Sequence, residues 1–462
     1  MNTLSFDCIA NKLQLVPTIK KLVKIIPFPF IYGLHTSFAY FELKKTQWLK
    51  REEIEKLRDR RLRYIVRFAY KNVPFYHRKL RELGLHPTDI KGKKDIKKLP
   101  ILYREDIIKN YDKFFSKHFK FYGGRINYTG GTTGSPLGIF LSGKAMGYKR
   151  AVILRFYDAV GLCHGKKVAY LRPPPSLQQG VSNHTLYEYF DFNKSLYLSN
   201  YEMSDKIMSI HISKLKEFKP YAISGTPSSL YLISQYMIRN SIEIPSIEVV
   251  LSTSETLYPY QKKIIEEAFG CDVFQSWGQG EMVGAAFECK DHGFHLAEEI
   301  GVVEVLKDNE DASEGEVGNL VGTTLINKSM PLIRYYIGDA GVVSNDSCIC
   351  GRGLPLIEKI LGKTRENIVT KSGRKIPGEI FTWVVMRQDW IKESQIIQPA
   401  KNKLVIKIVP SGEISKEKEI NIVRQIRNIV GDDEMNIVVE YVDRIYPTTA
   451  GKRPFVISKV SQ

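Results

Sequence analysis

Tyr221-Ala222-Ile223-Ser224-Gly225, Pro227 with an amphipathic run to Arg239, then Ile247-Glu248-Val249-Val250-Leu251-Ser252: this stretch decides the architecture. Each apolar run is short enough for a strand and closes on glycine or serine. Pro227 sits where a helix starts, because there its fixed φ and missing N–H cost nothing. The pattern repeats beyond Thr253-Ser254-Glu255-Thr256, with a helix to Phe269 followed by Asp272-Val273-Phe274-Gln275-Ser276-Trp277. Alternation of this kind predicts a largely parallel sheet with helices on its faces. In open sheets ligands gather at the carboxyl ends of strands. The polar clusters after residues 251 and 276 stand where that rule puts a site.

Working outward, residues 41–85 read as helical, with Ile54, Leu57, Leu62, Ile65, Val66 and Phe68 three and four apart and a break at Asn72-Val73-Pro74. A basic connection runs from Lys91 to Lys98. A helix-like run from Lys144 to Val160, a strand at 167–171 and a proline turn at 173–175 precede the alternating region. Residues 299–345 are rich in β-runs with Gly and Asp turns, which predicts an antiparallel subdomain. Past Gly362, strands at Lys403–Val409 and Asn436–Val442 flank a helix from Ser415 to Val430. The expected fold class is therefore α/β. A large N-terminal domain (1–361) has mixed and parallel sheets with flanking helices, a helical part at 1–120 and a β-rich subdomain at 299–361. A small α+β C-terminal domain (362–462) follows.

The 462 residues imply roughly two to four domains. With 43% hydrophobic and 26% charged residues, composition is that of a packed globular protein. The formal charge of +18 is spread along the chain and favours anionic ligands in general. No nucleic-acid module accompanies it, so no nucleic-acid partner is expected. The six cysteines Cys8, Cys163, Cys271, Cys289, Cys348 and Cys350 are too few for a secreted disulfide framework. The N-terminus makes a poor signal peptide, and Leu22 to Tyr40 is interrupted by Pro27, Pro29, Gly33 and His35, so it is not a spanning helix. A cytoplasmic protein is expected. Beside Lys20, Lys21 and Lys24, that stretch either packs on the body or lies on the inner membrane surface.

Five polar islands carry the chemistry. Tyr128-Thr129-Gly130-Gly131-Thr132-Thr133-Gly134-Ser135-Pro136-Leu137-Gly138 is either a glycine-rich hairpin or a phosphate cradle. It lacks the Gly-Lys-Ser/Thr ending of the usual P-loop. In Ser276-Trp277-Gly278-Gln279-Gly280-Glu281, Trp277 suits a purine and Glu281 a magnesium ion; the plainer reading is a strand-end turn with a core tryptophan. Asp339, closing Ile333-Arg334-Tyr335-Tyr336-Ile337-Gly338-Asp339, either accepts ribose hydroxyls or forms an Asx-turn. Leu361-Gly362-Lys363-Thr364-Arg365-Glu366-Asn367 falls at the expected domain boundary. In Tyr446-Pro447-Thr448-Thr449-Ala450-Gly451-Lys452-Arg453, Lys452 on a glycine turn is either a point charge for a phosphate or carboxylate or a solvated tail lysine.

Taken in this order, the islands resemble the adenylate-forming (ANL) superfamily over roughly residues 60 to 460. They are most similar to its phenylacetate–CoA ligase-like and CapK-like (capsular polysaccharide biosynthesis) branch, which Val73-Pro74-Phe75-Tyr76 and Leu99-Pro100-Ile101-Leu102 also resemble. The resemblance implies a ligase using ATP and Mg2+. A carboxylate attacks the α-phosphate, pyrophosphate leaves, and the acyl group passes to CoA or to a sugar amine or hydroxyl. It implies that Thr129, Gly130, Gly131, Thr132, Thr133 and Gly134 hold phosphates, Glu281 the magnesium and Asp339 the ribose. Ser254, Glu255, Trp277 and Gly278 would border the nucleotide, and Lys452 would bridge carboxylate and ribose–phosphate. The small domain would be mobile, pivoting at Gly362-Lys363, where Lys363 replaces the family's usual arginine. A non-catalytic nucleotide-binding assembly protein is the competing reading, which the presence of both Lys452 and Glu281 opposes. A homodimer is compatible with the resemblance.

Cys289, His292, His295, Cys348 and Cys350 form two clusters with soft and imidazole donors. A tetrahedral structural Zn2+ on three cysteines and one histidine is expected, with His295 favoured and His292 the alternate. Free cysteines beside a solvated turn are the other reading. The resembling branch implies the zinc.

Overall fold

The computed structural model of the chain describes residues 32–129, 137–175, 185–191, 193–363, 367–376, 378–385, 388, 390–431, 435–448 and 451–460. Among them the helical run expected at 41–85 is three helices, α1 (Leu34–Thr46), α2 (Arg51–Asn72) and α3 (Pro74–Glu82). The last break falls at Val73, where Pro74 restricts the preceding residue to extended backbone and then starts the next helix. A short helix α4 (Arg104–Lys109) leads to a hairpin of β1 (Arg125–Thr129) and β2 (Leu137–Leu141), paired antiparallel from Arg125↔Leu141 to Thr129↔Leu137. The strands flanking the glycine-rich loop thus form a hairpin; Gly130, Gly131, Thr132, Thr133 and Gly134 lie outside the described residues. Helix α5 (Gly143–Ala159) follows, its first turn capped by Ser142 Oγ accepting from the N–H of Ala145 at 3.2 Å.

The alternating region builds an eight-stranded sheet. Its strands are β3 (Val168–Leu171), β4 (Tyr187–Phe190), β5 (Ser195–Leu198), β6 (Ala222–Gly225), β7 (Val249–Thr253), β8 (Val273–Gly278), β9 (Ala285–Glu288) and β10 (Phe294–Leu296). In space they run β10-β9-β8-β7-β6-β3-β5-β4, with β8, β7, β6, β3 and β5 parallel and both edges antiparallel. Strands β5, β6 and β7 are buried along nearly all of their length, as strands covered on both faces must be. Helices α6 (Asp205–Phe218), α7 (Pro227–Arg239) and α8 (Pro259–Phe269) supply the covering faces through Ile212, Leu215, Leu230, Ile233, Met237 and Ile265.

The β-rich region is an antiparallel sheet of β11 (Gly301–Lys307), β12 (Glu310–Asp311), β13 (Val317–Thr324), β14 (Tyr335–Val343) and β15 (Ile357–Lys363), in the order β12-β11-β13-β14-β15. Leu361-Gly362-Lys363 therefore ends a paired strand, with Asp339↔Lys363 and Ala340↔Gly362 in register. Beyond it come the pair β16 (Ile368–Val369) and β17 (Lys375–Ile376), helix α9 (Gly378–Val385), and a sheet ordered β20-β19-β18-β21. Those four strands are β18 (Ile391–Ala400), β19 (Lys403–Pro410), β20 (Asn436–Tyr441) and β21 (Val456–Ser458), covered by α10 (Lys416–Val430). This tail has its own core around Phe381, Ile396, Ile406, Ile422 and Ile426, into which Tyr258 from the large lobe also packs. No described helix is long and apolar enough to cross a membrane.

Candidate functional site

The parallel registers Gly225↔Ser252 and Thr253↔Ser276 bring the carboxyl ends of β6, β7 and β8 side by side. Past β7 the chain turns through Ser254, whose φ of 76° lies in the left-handed region that non-glycine residues seldom occupy. The turn sends the half-buried Glu255 carboxylate back to the start of α7, where Oε2 accepts from the N–H of Ser228 at 3.1 Å. An anion at a helix N-terminus is favoured by its free N–H groups and dipole. Even so, burial pushes the Glu255 carboxyl above its ordinary range, opposed by the Ser228 and Arg453 hydrogen bonds and by Lys452.

Next door, β8 delivers Trp277, whose indole N–H donates to Asp339 Oδ2 at 2.9 Å. Lys363 Nζ meets the other oxygen, Oδ1, at 2.9 Å and also donates to the carbonyl of Ile337 at 3.0 Å. Asp339 is 6% exposed and Glu281 9%. Burial raises the Glu281 pKa; Lys363 and Arg104 oppose the rise and Asp339 adds to it. Gln279, two residues before Glu281, buries both amide atoms with no hydrogen-bond partner among the described residues. That costs free energy unless a ligand takes them. Asn127 of β1 donates to the carbonyl of Gly280 at 3.1 Å, tying the glycine-loop hairpin to the same turn.

The tail completes the arrangement. Arg453 donates its backbone N–H to Glu255 Oε1 at 2.7 Å and its guanidinium to the carbonyls of Asn200 and Tyr201 at 2.9 and 3.2 Å. Asn200 Nδ2 donates to the carbonyl of Gly451 at 2.9 Å. Lys452 sits between these anchors, on a turn closed by the N–H of Gly451 donating to the Thr448 carbonyl at 2.8 Å. Two clusters result on neighbouring strands: Trp277, Glu281, Asp339 and Lys363 beside β8, and Glu255 with the Lys452 turn beside β7. Cations and carboxylates gathered half-buried at these strand ends suit the binding of a polyanion and the handling of a second carboxylate.

Elsewhere, Cys289, His295, Cys348 and Cys350 offer four ligand atoms within 4.8 Å of one another. The Sγ atoms of Cys289 and Cys348 are 3.6 Å apart, and Cys350 Sγ is 3.3 Å from His295 Nε2. A tetrahedron with metal–sulfur bonds of about 2.3 Å has edges of about 3.8 Å, so the set fits a zinc-sized ion. Burial pushes His295 down to about 4, which keeps the imidazole neutral as a ligand must be. His292 is not in the cluster; its Nδ1 pairs with Glu288 Oε1 at 2.7 Å. The donors come from the β9–β10 edge and from the segment that leads into β15, so an ion there would staple the two sheets.

Of the residues expected from sequence, Ser254, Glu255, Trp277, Gly278, Glu281, Asp339, Lys363 and Lys452 converge at adjoining strand ends. Trp277 acquires a hydrogen-bonding task, holding Asp339, that its aromatic character did not suggest. Sequence reasoning missed Asn200 and Lys149. Asn200 follows β5, an unrecognised strand whose four residues carry no alternation. Lys149 lies within α5, and burial lowers its pKa while the charge of Glu281 opposes the fall. Only an acidic neighbour from a distant segment marks it, and no local pattern records that.

Residues 368–459 match the family described as the CapK C-terminal domain. Over 366 residues the chain is 26% identical to the phenylacetate-coenzyme A ligase of Thermus thermophilus, covering 76% of this chain and 79% of that one. Over 443 residues it is 23% identical to Protein CapK of Staphylococcus aureus, covering 93% and 94%. Among solved structures, 2-hydroxyisobutyryl-CoA ligase in the postadenylation state with R3-HIB-AMP superposes with a TM-score of 0.70 at 19% identity, over 90% of this chain and 92% of that one. The same ligase in its open and thioesterification states gives 0.58 and 0.60 over the same 90%.

Proposed function

We propose, from the chain's membership of the adenylate-forming superfamily on its phenylacetate–CoA ligase and CapK side, that the strand-end site activates a carboxylic acid with ATP. A carboxylate oxygen of the acid bonds to the α-phosphorus while the bond to the departing pyrophosphate breaks, leaving an acyl-adenylate. In the second step the thiol of CoA attacks the acyl carbon and AMP leaves. The observation that carries this reading is the docking of the Lys452 turn on Glu255 and Asn200, one strand from Glu281 and Asp339.

Each group has a task its surroundings support. Asp339, oriented by Trp277 and Lys363, accepts the ribose hydroxyls with its remaining lone pairs. Thr129 to Gly134, between the two strands of the hairpin tethered at Gly280, are assigned to the phosphates. Lys452 offers an ammonium where negative charge gathers between carboxylate and α-phosphate, an arrangement that lowers a barrier because no reorganisation is needed. Glu281, a buried carboxylate beside cations, fits a magnesium ion shared with phosphate oxygens, which would neutralise part of their charge. Cys289, His295, Cys348 and Cys350 are assigned to a structural zinc. The small domain is assigned as a lid that pivots at Gly362-Lys363, the end of β15, between half-reactions.

Incubation of the protein with ATP, Mg2+, CoA and a panel of carboxylic acids tests this. AMP should form only when a suitable acid is present, together with an acyl-CoA thioester. Release of ADP and phosphate, or nucleotide turnover indifferent to the acid, contradicts it. AMP without thioester, with the acyl group trapped by added hydroxylamine, moves the acceptor from CoA to an amine or hydroxyl.

A further inference from the structure

Arg172 follows Leu171, the last residue of β3, and so projects from the same carboxyl edge as Gly225 of β6 and Ser254 beyond β7. Its guanidinium lies 4.4 Å from the ring centroid of Tyr170 and 5.2 Å from that of Tyr197. Those rings stack on each other at 5.0 Å, and the Tyr170 hydroxyl meets that of Tyr157 at 3.2 Å. The only hydrogen bond of Arg172 among the described residues goes to the Tyr197 hydroxyl, at 3.4 Å. A guanidinium has five N–H donors, so most of its capacity is open.

Two observations separate this arginine from an ordinary surface cation. It is exposed to solvent over the stacked rings, and although burial is the largest single influence and lowers its pKa, Tyr197, Tyr170 and Tyr157 together outweigh it and hold the value above the ordinary one. Among the described residues no carboxylate is recorded as a partner of it, and residues 173–187, which continue the chain from it, contain no Asp or Glu. A guanidinium held over aromatic faces with most of its N–H donors open is placed to take an anionic ligand. Strands β3, β6 and β7 are consecutive neighbours, so at about 4.8 Å per strand Arg172 stands roughly 10 Å from the Glu255 end. That leaves room for a short acyl body between a carboxylate reacting near Lys452 and a second group at Arg172.

We propose that Arg172, framed by Tyr157, Tyr170 and Tyr197, selects carboxylic acids that carry a second anionic group at the end remote from the reacting carboxylate. The inference rests on the adenylation reading for the reacting end only. The second charge takes a forked pair of hydrogen bonds from the guanidinium, and the tyrosine hydroxyls supply further polar contact.

The test compares acids matched in shape that differ by one charge, terephthalate against p-toluate and glutarate against valerate, in ATP–pyrophosphate exchange. The wild type should favour the dianion in kcat/KM. Arg172→Gln should lower that preference by roughly 10- to 100-fold, mostly through KM, and Arg172→Lys should restore part of it. A preference for the monoanion in the wild type, or a ratio that Arg172→Gln leaves unmoved, overturns the assignment while adenylation stands. Should no acid support exchange, the adenylation reading fails, and calorimetric titration of the same dianions without ATP decides the arginine site. Binding by the wild type that Arg172→Gln abolishes keeps it, and equal behaviour of the two proteins ends it.

Discussion

The backbone N–H of Arg453 donates to Glu255 Oε1 at 2.7 Å, joining residues 198 positions apart and setting the tail's lysine turn on the end of β7. Gly451 makes the approach possible. Its φ is +77°, and a Cβ there would stand 2.5 Å from Asn200 Oδ1. Gly451→Ala must therefore push the turn off Asn200 as well as strain the backbone. We expect adenylation to fall by roughly 10- to 100-fold with the tail's own fold retained, because the clash is with the large lobe. Pyrophosphate exchange alongside circular dichroism checks this; full exchange activity would show that the docking is not needed.

Trp277 holds Asp339 by one hydrogen bond from its indole nitrogen. Trp277→Phe removes that donor and keeps most of the apolar contact. A buried hydrogen bond to a charged acceptor is worth about 1.5–3 kcal/mol, so the KM for ATP should rise roughly 10-fold or more. Equal KM values for variant and wild type would leave the tryptophan as packing alone.

Glu281 is buried with its pKa raised, so its charge is costly to the fold. A carboxyl whose folded pKa exceeds its unfolded one binds more protons when folded, and its penalty grows as pH rises through the two values. Glu281→Gln should raise the Tm at pH 8 and lose that advantage as pH falls below the ordinary glutamate range. Activity should meanwhile drop roughly 100-fold with a higher Mg2+ requirement. Thermal scans at several pH values read the first part and a magnesium titration the second. A lower Tm at pH 8 would contradict the account.

The Cys289, His295, Cys348 and Cys350 cluster predicts one zinc per chain. Cys350→Ser should lower the bound metal and the Tm together, whereas His292→Ala, outside the cluster, should leave the stoichiometry at one. Metal analysis by mass spectrometry distinguishes them. A metal-free wild type that unfolds at the same temperature would end the assignment.

How far the sequence spoke depended on whether a feature was local. The ends of β7 and β8 were legible because apolar runs with terminal Ser, Thr and Gly carry a period of their own. Helix α7 was legible from Pro227 to Arg239 for the same reason. The short strands β4, β9 and β10, at and next to the two edges, were not, since such strands pair through backbone groups that leave little side-chain record. Gly362-Lys363 read as a boundary because the strand and helix pattern changes beyond it, and it is a strand end because Asp339 pairs with Lys363 across the sheet. Within the site, Glu281 and Asp339 were found by their islands. Asn200, bonded to Gly451 across 251 positions, has no such marker.

The claim that Lys452 completes a carboxylate-activating site is tested most directly by acid-dependent ATP–pyrophosphate exchange in the wild type and in Lys452→Ala. The docking hydrogen bonds come from Gly451 and Arg453 and not from this side chain, so the variant should keep its fold. The account predicts exchange in the wild type that requires a carboxylic acid, and a loss of roughly 100-fold or more in the variant. Exchange in Lys452→Ala at the wild-type rate would contradict it.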